Sequence, residues 1–282
     1  MGSVRPGRTF DVEVLTLDGP NRATKSDTVV TEEPLELRLL SALRPSTSSG
    51  ALAVTMRTPG NDFELAAGFV YNEGIVPDFA EIASIDYCLD PQLEPDQRYN
   101  VVNVTVRGEL PDLQRFERHF TTSSACGVCG RAQLESLRER VAPIDDDVRI
   151  GAGLLYALPD RMRAAQRVFE STGGLHAAAL FDERGEAIAV REDVGRHNAV
   201  DKLVGWGLMN GRVPFARSIL MVSGRASYEI LQKAAVARIP IVCSVSAPSS
   251  LAVDLARELG ITLAGFLRGT RANVYAHEHR IG

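Results

Sequence analysis

The chain has 282 residues, of which 45% are hydrophobic, 24% charged and 6% aromatic, and its formal net charge is −5. This balance is typical of a globular protein with a sizeable core, and it excludes a mainly disordered chain, a collagen and a disulfide-stapled miniprotein. The negative charge argues against general binding to nucleic acid but allows a local basic pocket. Only three of the 31 basic residues are lysines. Arginine suits phosphate recognition, although a coding bias toward arginine accounts for most of this excess.

No apolar run is long enough to cross a bilayer, and the first residues lack the apolar core of a secretory signal. The four cysteines are too few for a disulfide scaffold in a chain of this length. We therefore expect a cytoplasmic protein that does not associate with membranes.

The first half of the chain is predicted to be rich in β-structure. Alternating apolar and polar residues predict strands at Asp11–Leu17, Leu35–Leu40, Ala51–Arg57 and Asn100–Arg107. A helix is predicted between Asp62, which can cap it, and Gly74, which can end it. Residues 44–50 have the composition of a loop. A polar break near residues 143–147 predicts two domains, 1–150 and 151–282.

The second half alternates between helix and strand patterns. Helices are predicted at Pro159–Ser171, Asn198–Met209, Ser227–Arg238 and Ser249–Leu259. Strands are predicted at Leu175–Phe181, Ala187–Val190, Ser218–Val222, Pro240–Val245 and Ile261–Phe266. Because strands separated by helices need crossover connections, we expect an α/β domain with a mostly parallel sheet covered on both faces. Ligands of such sheets bind at the carboxyl ends of the strands.

The most informative motif is Cys126-Gly127-Val128-Cys129-Gly130, in a small, polar segment just before a predicted helix at Arg131–Val141. The positive end of a helix and the neighbouring arginine favour the thiolate form of a cysteine. A thiolate is the form that attacks sulfur, so the motif suits sulfur acceptance or thiol–disulfide exchange.

Other interpretations of this motif are a redox dithiol, half of a zinc site or two inert cysteines. Inert burial is disfavoured by the polar flanking sequence. Zinc needs two more ligands, and the sequence has no second CxxC and no suitably spaced pair of histidines. No metal site is therefore expected. Cys88 and Cys243 lie in apolar stretches and are predicted to be buried.

Four polar or glycine-containing segments follow predicted strands of the second half. They are residues 191–198, 223–225, 246–249 and 265–271. In the first of them, Asn198 can cap a helix, His197 can donate a proton and Arg196 can bind an anion. A solvated turn is the alternative, but so many polar residues at the carboxyl end of a strand favour a functional role. Glycine beside arginine at strand ends suits a ligand with phosphate groups. Together the segments predict a nucleotide-like site at one edge of the sheet.

The segments SACGVCG, TGGLHAAAL, REDVGRHNAVDK, SGRASYEI and GFLRGTRANVY occur in this order, and TPGNDFELAAGFVYNEGI precedes them. This ordered set resembles the FdhD/NarQ family of sulfur carriers required for formate dehydrogenase activity. The resemblance runs from about Glu33 to about Tyr275.

The resemblance implies that Cys126 accepts sulfur from a cysteine desulfurase as a persulfide. It also implies that this sulfur passes to the molybdenum cofactor, in its bis(molybdopterin guanine dinucleotide) form, before the cofactor enters formate dehydrogenase. The second cysteine of the family motif corresponds to Cys129. The family's cofactor-binding stretch corresponds to Phe266, Leu267, Arg268, Gly269, Thr270 and Arg271.

The resemblance further implies a β-rich part joined to a three-layer α/β/α domain similar to cytidine deaminase, and a homodimer. Deamination itself is not expected, because that chemistry needs an H-x-E element followed by P-C-x-x-C. Here Ala199 stands two residues after His197, and the CxxC, preceded by Ala125, comes earlier in the chain. Two alternatives to a sulfurtransferase stay open at this point: a thiol–disulfide oxidoreductase and a non-catalytic chaperone of the molybdenum cofactor.

Overall fold

The structure is a computed structural model that describes residues 6–88, 90, 94, 97–110, 137 and 139–282, with only the backbone over residues 45–50. Within these residues the strands are β1 (Thr9–Asp18), β2 (Asn21–Val30), β3 (Glu33–Ser41), β4 (Arg44–Arg57), β5 (Ile82–Tyr87), β6 (Val101–Val106), β7 (His176–Asp182), β8 (Ala187–Asp193), β9 (Ser218–Val222), β10 (Ile241–Ser244), β11 (Thr262–Arg268) and β12 (Arg271–Ala276). The α-helices are α1 (Asp62–Asn72), α2 (Ala152–Ala165), α3 (Arg167–Thr172), α4 (Arg196–Met209), α5 (Tyr228–Val236) and α6 (Ser250–Glu258).

A six-stranded sheet with the order β12-β11-β10-β9-β7-β8 forms the centre of the second half. The prediction of a mostly parallel sheet is wrong, because β10 is parallel to β9 and β11 whereas the other three neighbouring pairs are antiparallel. For two of these three pairs, the cause is the short connection between the strands. Two-residue and four-residue connections join β11 to β12 and β7 to β8, and connections this short can only make antiparallel hairpins.

Helices cover both faces of this sheet, as the sequence predicts. The five residues of β9 are all buried, because alternate side chains enter two different cores. Leu220 and Val222 pack with residues of α4, α5 and α6 on one face. Ile219 and Met221 pack on the other face with Leu155, Leu158 and Met162 of α2.

The first half contains a four-stranded sheet with the order β4-β3-β6-β5 and a separate β1–β2 hairpin. The alternating leucines of β3 (Leu35, Leu37 and Leu39) are fully buried against α1, together with Leu65 and Val70. This sheet is also mixed, because β3 is parallel to β6 and antiparallel to β4.

Helix α1 of the first half packs directly on α4 of the second half. A Cβ atom at Gly68 would lie 1.9 Å from the carbonyl oxygen of Asp201, and one at Gly205 would lie 1.8 Å from that of Glu64. The two glycines therefore permit a backbone separation that any larger residue would prevent. The division into domains at residue 150 stays a prediction.

Two local predictions are wrong for identifiable reasons. Residues 44–50 belong to β4, because their backbone pairs with β3 in spite of a loop-like composition. Pro159 lies inside α2 rather than at its first position, since Leu155, Leu158 and Met162 form a buried stripe that offsets the cost of the proline. In addition, strands β2, β5 and β12 were not predicted.

Candidate ligand-binding site

The ends of five strands meet at one edge of the six-stranded sheet. Strands β9, β10 and β11 are parallel and finish at this edge. Strand β7 is antiparallel to β9 and begins here, and β8 is antiparallel to β7 and finishes here. The four polar segments that follow β8, β9, β10 and β11 therefore converge, as the sequence predicts, even though the sheet is mixed.

The first of two cavities at this edge, the basic cavity, is lined by Val245, Phe266, Arg268, Arg271 and Asn273 and has a volume of about 430 Å³. Arg268 and Arg271 are the last residue of β11 and the first of β12, and they face each other across the turn. Among the described residues, neither guanidinium forms an ion pair with a carboxylate. Two free guanidinium groups at the rim of a cavity favour an anionic ligand.

A bulge in β11 presents Phe266 at this cavity. The pairing with β12 shifts between Gly265 and Arg268, and Phe266 has a φ of 55°, a left-handed conformation that is unfavourable for an aromatic residue. The residue is 48% exposed. Strained backbone of this kind is concentrated at ligand sites.

The six residues of the predicted cofactor stretch have different environments in the structure. Phe266, Arg268 and Arg271 line the basic cavity. Leu267 is only 1% exposed and packs in the core with α2. Gly269 and Thr270 form the turn between β11 and β12, and Gly269 has a φ of 55°. The side chains of Phe266, Arg268 and Arg271 can therefore contact a ligand in this cavity.

The second cavity, the helix-side cavity, has a volume of about 660 Å³ and lies between α2, α3 and the sheet edge. Its lining includes Arg163, Gln166, Phe169, His176 and Ser223, and it shares Val245 with the basic cavity. Apart from Ser223, which lies in the segment 223–225, the sequence analysis did not propose these residues as site candidates. The available signal was the TGGLHAAAL segment, whose two glycines and first leucine also line the cavity.

Two residues of the polar segment 191–198, Asp193 and Asn198, stabilise the fold. Asp193 is fully buried, forms an ion pair with Lys202 at 2.6 Å and accepts hydrogen bonds from the backbone N–H groups of Thr58 and Gly195. Asn198 does not cap α4, since Gly195 occupies the cap position, and its amide instead donates to Asp193 and to the Met56 carbonyl. Asp193 and Asn198 thus hold β8 and α4 against the first half of the chain.

His197 differs from these neighbours because its Nε2 is buried with no hydrogen-bond partner among the described residues. Burial, reinforced by the positive charges of Arg196 and Lys233, lowers the pKa of His197 to about 4. Burial also lowers the pKa of His176, and Arg196 adds to that effect. Both imidazoles are therefore neutral at pH 7, so neither supplies a positive charge to the site.

Cys126 and Cys129 lie outside the described residues. The helix predicted at Arg131–Val141 is described only near its end, where Leu137 is buried. There Arg140 donates hydrogen bonds to the carbonyl oxygens of Asn72 and Glu73 at the end of α1.

The prediction that Cys88 and Cys243 are buried is confirmed. Burial raises the pKa of the Cys243 thiol, so this cysteine stays protonated and unreactive. Within the part of the chain that the structure describes, no three His, Cys, Asp or Glu side chains are grouped as metal ligands would be. In the same residues, no helix combines the length and the apolar character that a membrane span requires.

Fold and site together define a mixed α/β protein with a candidate anion-binding site at one edge of its central sheet. The chain belongs to the FdhD/NarQ family, whose model matches residues 30–282. The resemblance noted in the sequence motifs is thereby confirmed.

Among curated proteins, the sulfur carrier protein FdhD of Streptomyces avermitilis is 55% identical over 264 residues, which cover 92% of this chain and 90% of that protein. The sulfur carrier protein FdhD of Mycobacterium tuberculosis is 47% identical over 264 residues, covering 92% of this chain and 93% of that protein. A crystal structure of a protein assigned as a formate dehydrogenase accessory protein from Desulfotalea psychrophila is similar in fold. Its TM-score is 0.73 and its identity 24%, and the match covers 97% of this chain and 99% of that one.

Proposed function

We propose that this protein is a sulfur carrier in the maturation of formate dehydrogenase. In this proposal Cys126 accepts sulfur from a cysteine desulfurase as a persulfide. The sulfur then passes to the molybdenum cofactor, in its bis(molybdopterin guanine dinucleotide) form, before the cofactor enters formate dehydrogenase.

The observation that carries the proposal is the similarity to curated proteins named sulfur carrier protein FdhD, at 55% and 54% identity over 92% of this chain. The sequence adds the two closely spaced cysteines, Cys126 and Cys129, that such a role requires. The structure adds a basic cavity at the sheet edge, and the two buried cysteines, Cys88 and Cys243, are unsuited to carry sulfur.

The first step is a thiol exchange. The Cys126 thiolate attacks the outer sulfur of the desulfurase persulfide. A new S–S bond forms on Cys126, the old S–S bond breaks, and the desulfurase cysteine leaves as a thiolate. No external oxidant or reductant is needed for this step.

The second step allows two roles for Cys129. As a resolving thiol, Cys129 attacks the inner sulfur of the Cys126 persulfide, forms a disulfide with Cys126 and releases hydrosulfide for the metal centre. The disulfide then requires reduction by a cellular dithiol. As a second carrier, Cys129 instead takes the outer sulfur and frees the Cys126 thiolate.

The cofactor is the substrate of this reaction, and the chemistry of the basic cavity suits part of it. Arg268 and Arg271 present guanidinium groups that match phosphate oxygens, and the exposed ring of Phe266 lies beside them. The turn residues Gly269 and Thr270 complete the proposed binding stretch, with Leu267 as its buried anchor. A cytoplasmic homodimer that meets the desulfurase and formate dehydrogenase in turn is part of the proposal.

The test is to incubate the protein with a cysteine desulfurase and cysteine, then to measure its intact mass and map the modified peptide. We expect the mass of one additional sulfur atom, located on Cys126. Cys126→Ala should remove this addition and should abolish activation of formate dehydrogenase, whereas Cys88→Ala is the matched control and should retain both.

Three results would contradict the proposal. Full activation of formate dehydrogenase by the Cys126→Ala variant would exclude Cys126 as an obligatory carrier, and activation by a variant without either Cys126 or Cys129 would favour a non-catalytic chaperone. A reversible disulfide without sulfur uptake from the desulfurase would favour a thiol–disulfide oxidoreductase.

A further inference from the structure

The β1–β2 hairpin receives little cover from the rest of the described chain. Its strands pair along all ten residues of each, but they belong to neither of the larger sheets. Residues 21–27 of β2 are exposed throughout. An isolated two-stranded hairpin is marginally stable in water and needs further strands or an apolar cover. A second molecule that supplies either of these would therefore stabilise the hairpin.

The hairpin is attached to the body of the protein at its base. The backbone N–H of Thr31 donates to the Arg8 carbonyl at 2.9 Å, and the Arg8 guanidinium donates to the Asn61 side chain. The Val30 side chain lies against Gly174, where an added Cβ atom would be 3.1 Å from Val30 Cγ1. From this base each strand extends for about 30 Å, the length of ten residues in extended conformation.

Large apolar side chains of the hairpin are exposed. Phe10, Leu15 and Leu17 are 64%, 57% and 62% exposed. Phe10 pairs with Val29, which is 37% exposed, so these two side chains lie together on one face. Single exposed apolar residues are ordinary, but here several share a hairpin that has no core of its own. They favour contact with another protein surface.

The free edge of β2 can accept another strand. Bonded and non-bonded pairs alternate in an antiparallel ladder, and the hydrogen bond at the base of the hairpin fixes which pairs are bonded. By this alternation Thr24, Ser26 and Thr28 direct their backbone N–H and C=O groups away from β1. In the single chain the Thr28 N–H donates instead to the neighbouring Asp27 carboxylate at 3.1 Å. This edge therefore offers backbone groups to an antiparallel strand.

The sequence of β2 is complementary to itself in the antiparallel direction. When two β2 strands pair about a twofold axis at Ser26, Lys25 of each copy lies opposite Asp27 of the other. Thr24 then lies opposite Thr28, and two hydroxyl groups in these positions can hydrogen bond across the strands. The same register directs the backbone groups of the two Ser26 residues toward each other. Opposite charges and paired hydroxyls are side-chain pairs that stabilise a sheet.

The free edge of β1 is less suited to such pairing. The strand carries Asp11, Glu13 and Asp18 and contains no lysine or arginine. Two copies that paired through β1 would bring carboxylates together with no cation between them. Charged residues on an edge strand are a common protection against pairing. The hairpin is therefore suited to meet a second copy through β2.

We propose that two copies of this chain associate through their β2 strands and form a continuous four-stranded antiparallel sheet. Ala23 of one copy then lies beside Val29 of the other, next to Phe10, and one face gains apolar cover. The tip of each hairpin lies beside the base of the other, so Leu15 and Leu17 gain cover there. The inference rests on the homodimer included in the proposed function, and it names the surface through which the two copies meet.

Sedimentation-velocity ultracentrifugation of the full chain measures the association. We expect the wild type to have a mass twice the 30.6 kDa of one chain. Ser26→Pro removes an N–H from the proposed contact and should leave a monomer, while the hairpin keeps its own bonds because this N–H points away from β1. Glu13→Pro is the matched control, since Glu13 lies directly opposite Ser26 and its N–H points to the free edge of β1. This variant should remain a dimer.

Charge reversal tests the register. Lys25→Asp and Asp27→Lys each place like charges opposite one another and should weaken the dimer at least about tenfold, because two symmetric pairs change from attraction to repulsion. The double variant Lys25→Asp/Asp27→Lys restores opposite charges and should recover most of the wild-type affinity. Circular dichroism and thermal melting establish that each variant folds, and the charge reversals decide the proposal if Ser26→Pro does not fold.

Three results would overturn the proposed contact: a monomeric wild type, a folded Ser26→Pro variant that dimerises like the wild type, or a double charge reversal no tighter than the single ones. A monomeric wild type that binds phosphatidylglycerol vesicles would assign the exposed apolar residues to a membrane instead. A dimer that none of these variants weakens would reject this surface and retain the homodimer. Failure of sulfur transfer would be seen separately, as absence of added sulfur on Cys126.

Discussion

Buried polar groups behave differently in two regions of this molecule. Where α1 packs on α4, the buried charges have partners: Lys233 contacts Asp201 at 2.7 Å, and Lys202 contacts Asp193 at 2.6 Å. Beside them, Arg57 forms two hydrogen bonds of 3.2 Å to Asp62. These contacts join the first half of the chain to the second and hold the ends of β4 and β8.

At the edge of the six-stranded sheet that carries the two cavities, by contrast, several buried donors and acceptors are unpaired among the described residues. They include Nε2 of Gln166, Nε2 of His197 and Nε of Arg196. Because an unpaired buried polar group costs free energy, a fold retains such groups where they meet a ligand or a partner. The paired charges at the α1–α4 contact thus stabilise the fold, whereas the unpaired groups at the sheet edge are candidates for contact with a ligand.

The largest expected effect on stability comes from breaking one of the paired buried charges. Lys202→Met leaves the Asp193 carboxylate fully buried without its cation, and we expect the free energy of unfolding to fall by about 3–5 kcal/mol. Urea denaturation at pH 7 measures this loss. Arg44→Met is the control, because Arg44 and Glu109 form an exposed ion pair with side chains 67% and 69% exposed, and its loss should change stability little.

A similar small loss for both variants would mean that Asp193 is held by its backbone hydrogen bonds alone. The double variant Lys202→Met/Asp193→Asn should recover part of the stability, since it removes the uncompensated charge.

The contact between α1 and α4 gives the next largest effect. Gly205→Ala places a methyl group against the Glu64 carbonyl and should destabilise the protein by about 3 kcal/mol, at the upper end of the usual range for overpacking. Differential scanning calorimetry measures the change in Tm. Gly153→Ala is the control, because this helical glycine has open space around it and should be neutral or slightly stabilising. An unchanged Tm for Gly205→Ala would show that the two helices can separate without cost.

Among the unpaired groups, His197 is expected to have a smaller effect on stability, and this effect depends on pH. The folded protein holds His197 with a pKa of about 4, against about 6.5 in an unfolded chain. As the pH falls from 6.5 to 4, the unfolded chain takes up a proton that the folded protein does not, so stability is lost over this window. His197→Gln cannot titrate and should lose less stability between pH 7 and pH 5, by up to about 2 kcal/mol.

Urea denaturation of both proteins at the two pH values measures this difference. The groups that act on His197 are Arg196, Lys233, Glu229 and His176. His279→Gln, which replaces an exposed histidine, is the control and should follow the wild type. The same loss of stability in wild type and His197→Gln would mean that His197 titrates alike in the folded and unfolded chains.

Much of the second half could be predicted from local patterns. Strand β9 has the predicted bounds because a run of four apolar residues, Ile219–Val222, between polar residues favours a buried strand of this length. The convergence of the strand ends also agrees with the prediction. By contrast, Gln166 and Phe169 carry no local signal, because their significance depends on a cavity formed with β7, β9 and β10.

The sequence by itself determined most helices and strands of the second half and the membership of the family. Only the tertiary structure decided the direction of the strands, the burial of Leu267 beside the exposed Phe266, and the partners of Asp193 and Lys202. The physical reason is the separation in sequence of the residues that interact. Periodicity and turn chemistry act between neighbours in the chain, whereas strand pairing, cavities and buried ion pairs join residues that are far apart in sequence, such as Thr58 and Lys202.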